Sequence, residues 1–207
     1  MLSDQPTADP YLQPSFSLKN RIARLTWGIV SVLFFHYSPR PFHLWRAFLL
    51  RSFGATLGRG CHVYPKARIW APWNLICDDV VAIADDVVIL NPSPVFLGSH
   101  ATISQGAFLC GASHDYKKAD FPLISSPIHI GPYAWICARA IVQMGVNVAD
   151  GAILAVGGIA TKNLDSWTVY GGVPARKIST RPNVLSIGPS VYEDGSLNEQ
   201  SAISTSE

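Results

Sequence analysis

Six histidines, four cysteines and 16 basic residues supply most of the reactive chemistry open to this 207-residue chain. His114 stands apart by position, in the segment CGASHDYKKADFPLISSPIHI, at the point where an otherwise regular pattern stops. An unperturbed imidazole titrates near ~6.5, so it can take a hydroxyl proton close to neutral pH and hand it on again. His36, His43, His62, His100 and His129 share that chemistry but not that position. A lone histidine is more often a hydrogen-bonded structural residue; the neighbouring Asp115 and Tyr116, and the interruption itself, favour a general base here. Cys61, Cys77, Cys110 and Cys137 form no CxxC pair, which argues against a zinc knuckle or redox motif and for free thiols in a reducing compartment. No two histidines stand four residues apart, so a metal-dependent hydratase is disfavoured and no metal is expected.

The elements that must position His114 emerge when the chain after Pro127 is written in sixes. IGPYAW, ICARAI, VQMGVN, VADGAI, LAVGGI and ATKNLD begin at Ile130, Ile136, Val142, Val148, Leu154 and Ala160, each opening on an aliphatic or small residue. The fifth positions (Ala134, Ala140, Val146, Ala152, Gly158, Leu164) are small or apolar as well. The same phase recurs upstream at Leu57, Val63 and Ile69, at Ile83 and Ile89, and at Leu97, Ile103 and Leu109, with slips of one or two residues between runs. A six-residue period with one inward aliphatic per unit predicts an all-β parallel β-helix, each hexapeptide making one short face of a coil. A β-sandwich would show turns every 8 to 12 residues and strict alternation instead. The repeat spans 57–164 and is broken by a projecting loop after Leu109; such loops often carry function.

Before the repeat, residues 20–53 read as two helices broken at Ser38-Pro39-Arg40-Pro41, forming a helical cap. Six basic and no acidic residues lie in 19–51, interleaved with Trp27, Phe34, Phe35, Phe42, Trp45 and Phe48. Such helices suit contact with an anionic membrane surface; equally, the aromatics could pack on the main body and the arginines face water. The apolar run 25–35 has about half the ~20 residues needed to cross a bilayer. The polar, proline-bearing opening lacks the layout of a secretory signal, so a cytoplasmic protein is expected, with any membrane contact at the inner face. Charged residues make up 14% of the chain against roughly 25% on average, and 48% is apolar, which favours a homo-oligomer that covers the excess. A net charge of +2 is too small for a nucleic-acid partner. The expected organisation is a flexible leader 1–19, a helical segment 20–56, a repeat domain 57–181 with a loop at 115–129, and a flexible tail 182–207.

Over 20–181 the chain resembles the hexapeptide-repeat acyltransferases. The resemblance rests on Ser113-His114-Asp115-Tyr116, Pro127-Ile128-His129-Ile130-Gly131 leading to Ala134-Trp135-Ile136, Thr161-Lys162, and Gly172-Val173-Pro174-Ala175-Arg176-Lys177-Ile178. Ser38-Pro39-Arg40-Pro41 with Trp45-Arg46, and Pro72-Trp73-Asn74-Leu75, are similar more narrowly to the colanic-acid type of exopolysaccharide O-acetyltransferases. The resemblance implies a left-handed solenoid, acetyl-CoA as co-substrate, a homotrimer, and His114 as catalytic base. It implies further that Asn91, Asp115, Tyr116 and Trp135 contact the substrates, although a turn would equally explain Asn91 and interface packing Trp135. Ala138 and Val156, 18 residues and hence one coil apart, would stack beside Gly157 as a groove for the pantetheine arm. Thr161, Lys162, Arg176 and Lys177 would meet the CoA phosphates, in a segment 161–181 whose four basic residues and one acidic could otherwise be a solvated face. Cys77, Ala84, Cys137, Ala149 and Ala155 stand where the family commonly has a second-position glycine.

The function this predicts is acetyl transfer to a saccharide hydroxyl, with an acceptor that is polymeric or lipid-linked. Two alternatives stay open: transfer to a free sugar or antibiotic, and a non-catalytic assembly module. Serine as acceptor is disfavoured, because 56 residues before the first repeat are too few for a large helical domain.

Overall fold

The computed structural model describes residues 15–183, 185 and 186. Most of the leader expected at 1–19 and of the tail expected at 182–207 therefore lies outside the described residues.

The hexapeptide phase becomes three flat faces. Leu57 pairs in parallel with Cys77, Cys77 with Leu97, Leu97 with Ile130 and Ile130 with Val148, which stacks the first face. Val63, Ile83, Ile103, Ile136, Leu154 and Tyr170 stack in the same way on the second, and Ile69, Ile89, Leu109, Val142 and Ala160 on the third. The hexad openers and the fifth-position residues are buried together in one core, so each coil is a layer of a parallel β-solenoid. A fully buried aliphatic side chain contributes about 1.5–3 kcal/mol relative to exposure, and the stack repeats that gain at every layer.

The slips in the repeat have one location. Steps from first to second face and from second to third measure six residues in every coil, but Ile69 to Cys77 and Ile89 to Leu97 each measure eight. The extra residues form the corner after the third face, first as the 3-10 turn Pro72–Asn74 and then as Asn91-Pro92-Ser93-Pro94. Cys77 is therefore an inward hexad opener and not a replaced second-position glycine, because the longer corner shifts the phase ahead of it. In the third coil the same corner is extended into the loop, between the strands Phe108–Cys110 and Ile128–Ile130.

Helix α1 (Leu18–Val30) runs into a π-helical turn, Ser31–Phe35, and helix α2 (His43–Ser52) follows. Ser17 accepts the Asn20 amide at the start of α1 and serves as its N-cap. The helices close the first coil: Trp27 donates to the Ile69 carbonyl at 2.7 Å, and Leu50 and Phe35 are fully buried. Arg46 is fully buried and donates to the carbonyls of Val63, Pro39 and Arg40 and to Ser38 Oγ, which fixes the Ser38-Pro39-Arg40-Pro41 break. The packing expected of the aromatics and the exposure expected of the arginines hold only in part. Trp27 and Phe35 do pack inward, but Leu25, Ile29 and Val32 face solvent while Arg24 lies over Trp70. Among the described residues no helix is long and apolar enough to cross a membrane.

Candidate active site

The loop leaves the solenoid as a two-stranded antiparallel hairpin, Ala112–His114 against Leu123–Ser125. Its root is tied down at several points. Gly111 donates to the Leu90 carbonyl at 2.8 Å, Ser126 donates to the Gly111 carbonyl, Ile128 donates to the Pro94 carbonyl, and Ser93 and Ser125 share a hydroxyl contact of 2.8 Å. A Cβ at Gly111 would stand 2.6 Å from the Leu90 oxygen, so glycine is required there by close approach.

The corner beneath the loop is built on Asn91. Its side chain accepts from the Ala71 amide at 2.9 Å and donates to the Ala71 carbonyl at 2.8 Å, and it is fully buried. Asn74 reaches over to donate to the carbonyls of Asn91 and Pro92. The turn reading of Asn91 matches this geometry: the amide bonds the backbone of Ala71 through both its oxygen and its nitrogen, within a fully buried corner.

His114 sits at the end of the outgoing strand, exposed to solvent, with its ring stacked on Phe121 at 4.5 Å and 5°. Its Nδ1 lies 2.8 Å from the Phe121 carbonyl oxygen. A carbonyl oxygen can only accept, so Nδ1 carries the hydrogen and Nε2 keeps a lone pair in the neutral ring. Asp115 does not take part: its carboxylate accepts the Lys117 amide and lies 3.9 Å from the Lys118 ammonium. Tyr116 is 79% exposed, with its amide on the His114 carbonyl.

Trp135 belongs to another face. It opens the second-face strand Trp135–Ile136, points outward, and donates from Nε1 to Ser104 Oγ at 2.8 Å. Within one chain, the solenoid therefore separates it from the corner that bears His114.

Ala138, Val156 and Gly157 lie along the corner between the second and third faces. The Gly157 amide donates to the Ala138 carbonyl at 3.1 Å, so the two positions are stacked one coil apart. Val156 and Gly157 are exposed, and nothing lies within 4 Å of the place a Gly157 Cβ would occupy, which leaves an open ledge of small groups. Thr161 and Lys162 follow at the end of the third face, while Arg176 and Lys177 are exposed on the strand Arg176–Thr180, antiparallel to Thr168–Gly171. Among the described residues no acidic side chain ion-pairs with Lys162, Arg176 or Lys177. Arg181 is different: it donates to the carbonyls of Tyr133 and Gly151 and lies over Trp167, so it clamps coils together and adds little to a phosphate site.

All four cysteines are free; burial pushes the Cys77 thiol well above its ordinary range and the Cys137 thiol above it too. Among the described residues no group of three or more His, Cys, Asp or Glu side chains could hold a metal. Sequence reasoning missed the Phe121 carbonyl that orients His114, and Ser104 that holds Trp135. A backbone acceptor seven residues away leaves no signature in residue types, and Ser104 pairs with Trp135 only through stacking of coils.

No family model matches the chain. It is 35% identical over 162 residues, 78% of this chain and 89% of the relative, to an Escherichia coli K12 protein named as a colanic acid biosynthesis acetyltransferase, WcaF. It is 27% identical over 139 residues, 64% of this chain and 67% of the relative, to the galactoside O-acetyltransferase of the same organism. Among solved structures it superimposes on a hexapeptide-repeat acetyltransferase from Vibrio cholerae in complex with acetyl-CoA, with a TM-score of 0.73 and 24% identity over 81% of this chain and 91% of the other. A galactoside acetyltransferase in complex with CoA gives a TM-score of 0.74 and 22% identity, covering 81% of this chain and 84% of that one. At that identity the two structures establish the shared fold.

Proposed function

Because the chain belongs to the hexapeptide-repeat acetyltransferases of the WcaF type, we propose that it transfers the acetyl group of acetyl-CoA to a saccharide hydroxyl, in exopolysaccharide or cell-surface glycan synthesis. The observation that carries the reading is the Nδ1 contact of His114 with the Phe121 carbonyl, which leaves Nε2 as a proton acceptor on an exposed loop.

In the proposed step, Nε2 takes the proton of the acceptor hydroxyl as its oxygen attacks the thioester carbonyl carbon. The tetrahedral intermediate then collapses, the carbon–sulfur bond breaks, and the imidazolium returns the proton to the departing thiolate. The products are an acetyl ester and free CoA, and no acyl-enzyme forms, consistent with the burial of the Cys77 and Cys137 thiols. Acetyl-CoA is a co-substrate, and the ledge of Ala138, Val156 and Gly157 fits its narrow pantetheine arm. Thr161, Lys162, Arg176 and Lys177 supply hydrogen-bond donors and positive charge for its phosphates.

Asp115 shapes the loop turn, Tyr116 and Trp135 offer exposed surfaces to substrate, and Asn91 supports the corner. A homotrimer in the cytoplasm completes the reading. It is supported by the separation of His114 and Trp135 on one chain, which a neighbouring copy would offset.

The test is release of free CoA thiol, with mono-, oligo- and lipid-linked saccharides as acceptors, for the wild type and His114→Ala. Saccharide-stimulated release that disappears in the variant supports the reaction and its base. Stimulated release that persists in the variant overturns the role of His114. Acetyl-CoA binding without stimulation by any acceptor in the panel counts against a saccharide substrate and favours an assembly module.

A further inference from the structure

We infer that the outer face of α1, the π-helical turn and α2 docks on an anionic lipid bilayer. The inference stands on the helices alone and needs no assumption about the acetyl acceptor.

Helix α1 divides into two faces of opposite fate. Trp27 is 4% exposed and bonded to the third face of the solenoid, and Arg24 is stacked on Trp70 beside it. On the other side, Leu18, Ile22, Leu25 and Ile29 recur at helical spacing and are 54–68% exposed. The stripe does not stop with α1. Phe34 carries it through the π-helical turn to Trp45, whose Nε1 donates to the Phe34 carbonyl at 2.9 Å and whose ring stacks on Phe48 at 5.7 Å. Leu44, at the start of α2, is 83% exposed. An exposed apolar surface of this extent on a folded protein marks a site of contact.

Charge selects the partner. Residues 10–77 contain no aspartate or glutamate and nine of the 16 basic residues. Arg46 is buried, and Arg40 and Arg59 are paired with Asp85 and Asp79. Lys19 and Arg21 are exposed and follow Leu18 and precede Ile22, which sets them on the two flanks of the stripe. An apolar stripe bordered by positive charge that no acidic side chain pairs among the described residues fits the acyl–headgroup boundary of an anionic leaflet. A second copy laid parallel, helix to helix, on the same face would oppose Lys19 and Arg21 with like charges.

The inward face of α1 packs two coils from the point where the loop bearing His114 departs. Helix α1 packs at Ile69 and Trp70; Ile69 pairs with Ile89 and Leu90 with Cys110, after which the loop to His114 departs. With roughly 4.8 Å between neighbouring strands, two coils separate the helix from that departure.

The experiment is co-sedimentation of the full chain with vesicles of phosphatidylcholine, alone or mixed with phosphatidylglycerol, at low and high salt. We expect binding to the mixed vesicles that weakens with salt, loss of binding in Leu25→Asp/Ile29→Asp, and about tenfold weaker binding in Lys19→Gln/Arg21→Gln. Circular dichroism and light scattering of the variants should match the wild type, because all four side chains are exposed. No binding by the wild type overturns the inference, as does binding that the Asp variant retains. A smaller oligomer in the Asp variant with vesicle binding unchanged would overturn it too, assigning the face to contacts between copies.

Discussion

His114 and Phe121 grip each other twice, ring against ring at 4.5 Å and Nδ1 against carbonyl oxygen at 2.8 Å. The hairpin thus fixes both the tilt of the imidazole and its tautomer through one neighbour. Replacing His114 by Ala should lower saccharide-dependent turnover about 10²–10⁴-fold with little change in acetyl-CoA affinity, measured by steady-state kinetics and isothermal titration.

Gly111→Ala tests how firmly the loop root must be held. A methyl group 2.6 Å from the Leu90 carbonyl forces the outgoing strand to move, while the coils above and below keep their pairing. A displacement near 1 Å can cost roughly 100-fold in rate, so kcat should drop by tenfold or more with far-ultraviolet circular dichroism unchanged. Full activity would show that the root tolerates the shift.

Asn91→Ala should act on stability. It strips partners from the buried amide and carbonyl of Ala71, at about 1–3 kcal/mol for each unsatisfied group. Denaturant unfolding should show a loss of about 2–4 kcal/mol, with KM for the saccharide unchanged below the new melting transition. A raised KM at unaltered stability would restore an acceptor-binding role.

His43 gives the helical cap a pH dependence. Burial lowers its pKa, opposed by its contact with the Val63 carbonyl, and nearby Arg46 and His62 lower it further. Because the unfolded chain takes the proton more readily than the folded one, stability is complete above the ordinary imidazole value of about 6.5. It declines as pH falls from there toward the folded-state value. Melting temperatures of the wild type and His43→Gln between about pH 7 and 5 should converge as the solution is acidified, since only the wild type carries this loss.

For the donor side, Arg176→Ala and Lys177→Ala should each raise KM for acetyl-CoA several-fold, roughly up to tenfold, and leave kcat near the wild-type value. The effect should shrink at high salt, because both side chains are exposed. Unchanged KM in the double variant would remove this strand from the phosphate site.

The solenoid was legible because its rule is local: Ile130, Ile136, Val142, Val148, Leu154 and Ala160 declare the period by their types, and each proved inward and buried. The phase of Cys77 was not legible, since nothing at that residue announces that Pro72–Asn74 has lengthened the corner before it. Position singled out His114, yet its orienting partner is a main-chain oxygen that any residue at 121 would supply. The resemblance implied a substrate contact for Asn91; its paired contacts to Ala71, 20 residues back, carry no mark in the sequence. The apolar face of α1 was legible as a periodicity, which does not by itself say what that face meets.

The unequal corners make the molecule modular. Every change of length falls after the third face, growing from two extra residues in the early coils to the whole His114 hairpin. The edge of Ala138, Val156 and Gly157 keeps an unvarying six-residue step from Ile136 to Val142 and from Leu154 to Ala160. Insertions at the variable corner leave strand pairing on all three faces in register. A lineage could therefore exchange one acceptor for another by resculpting a single protrusion, while the edge proposed for the acyl donor is inherited untouched.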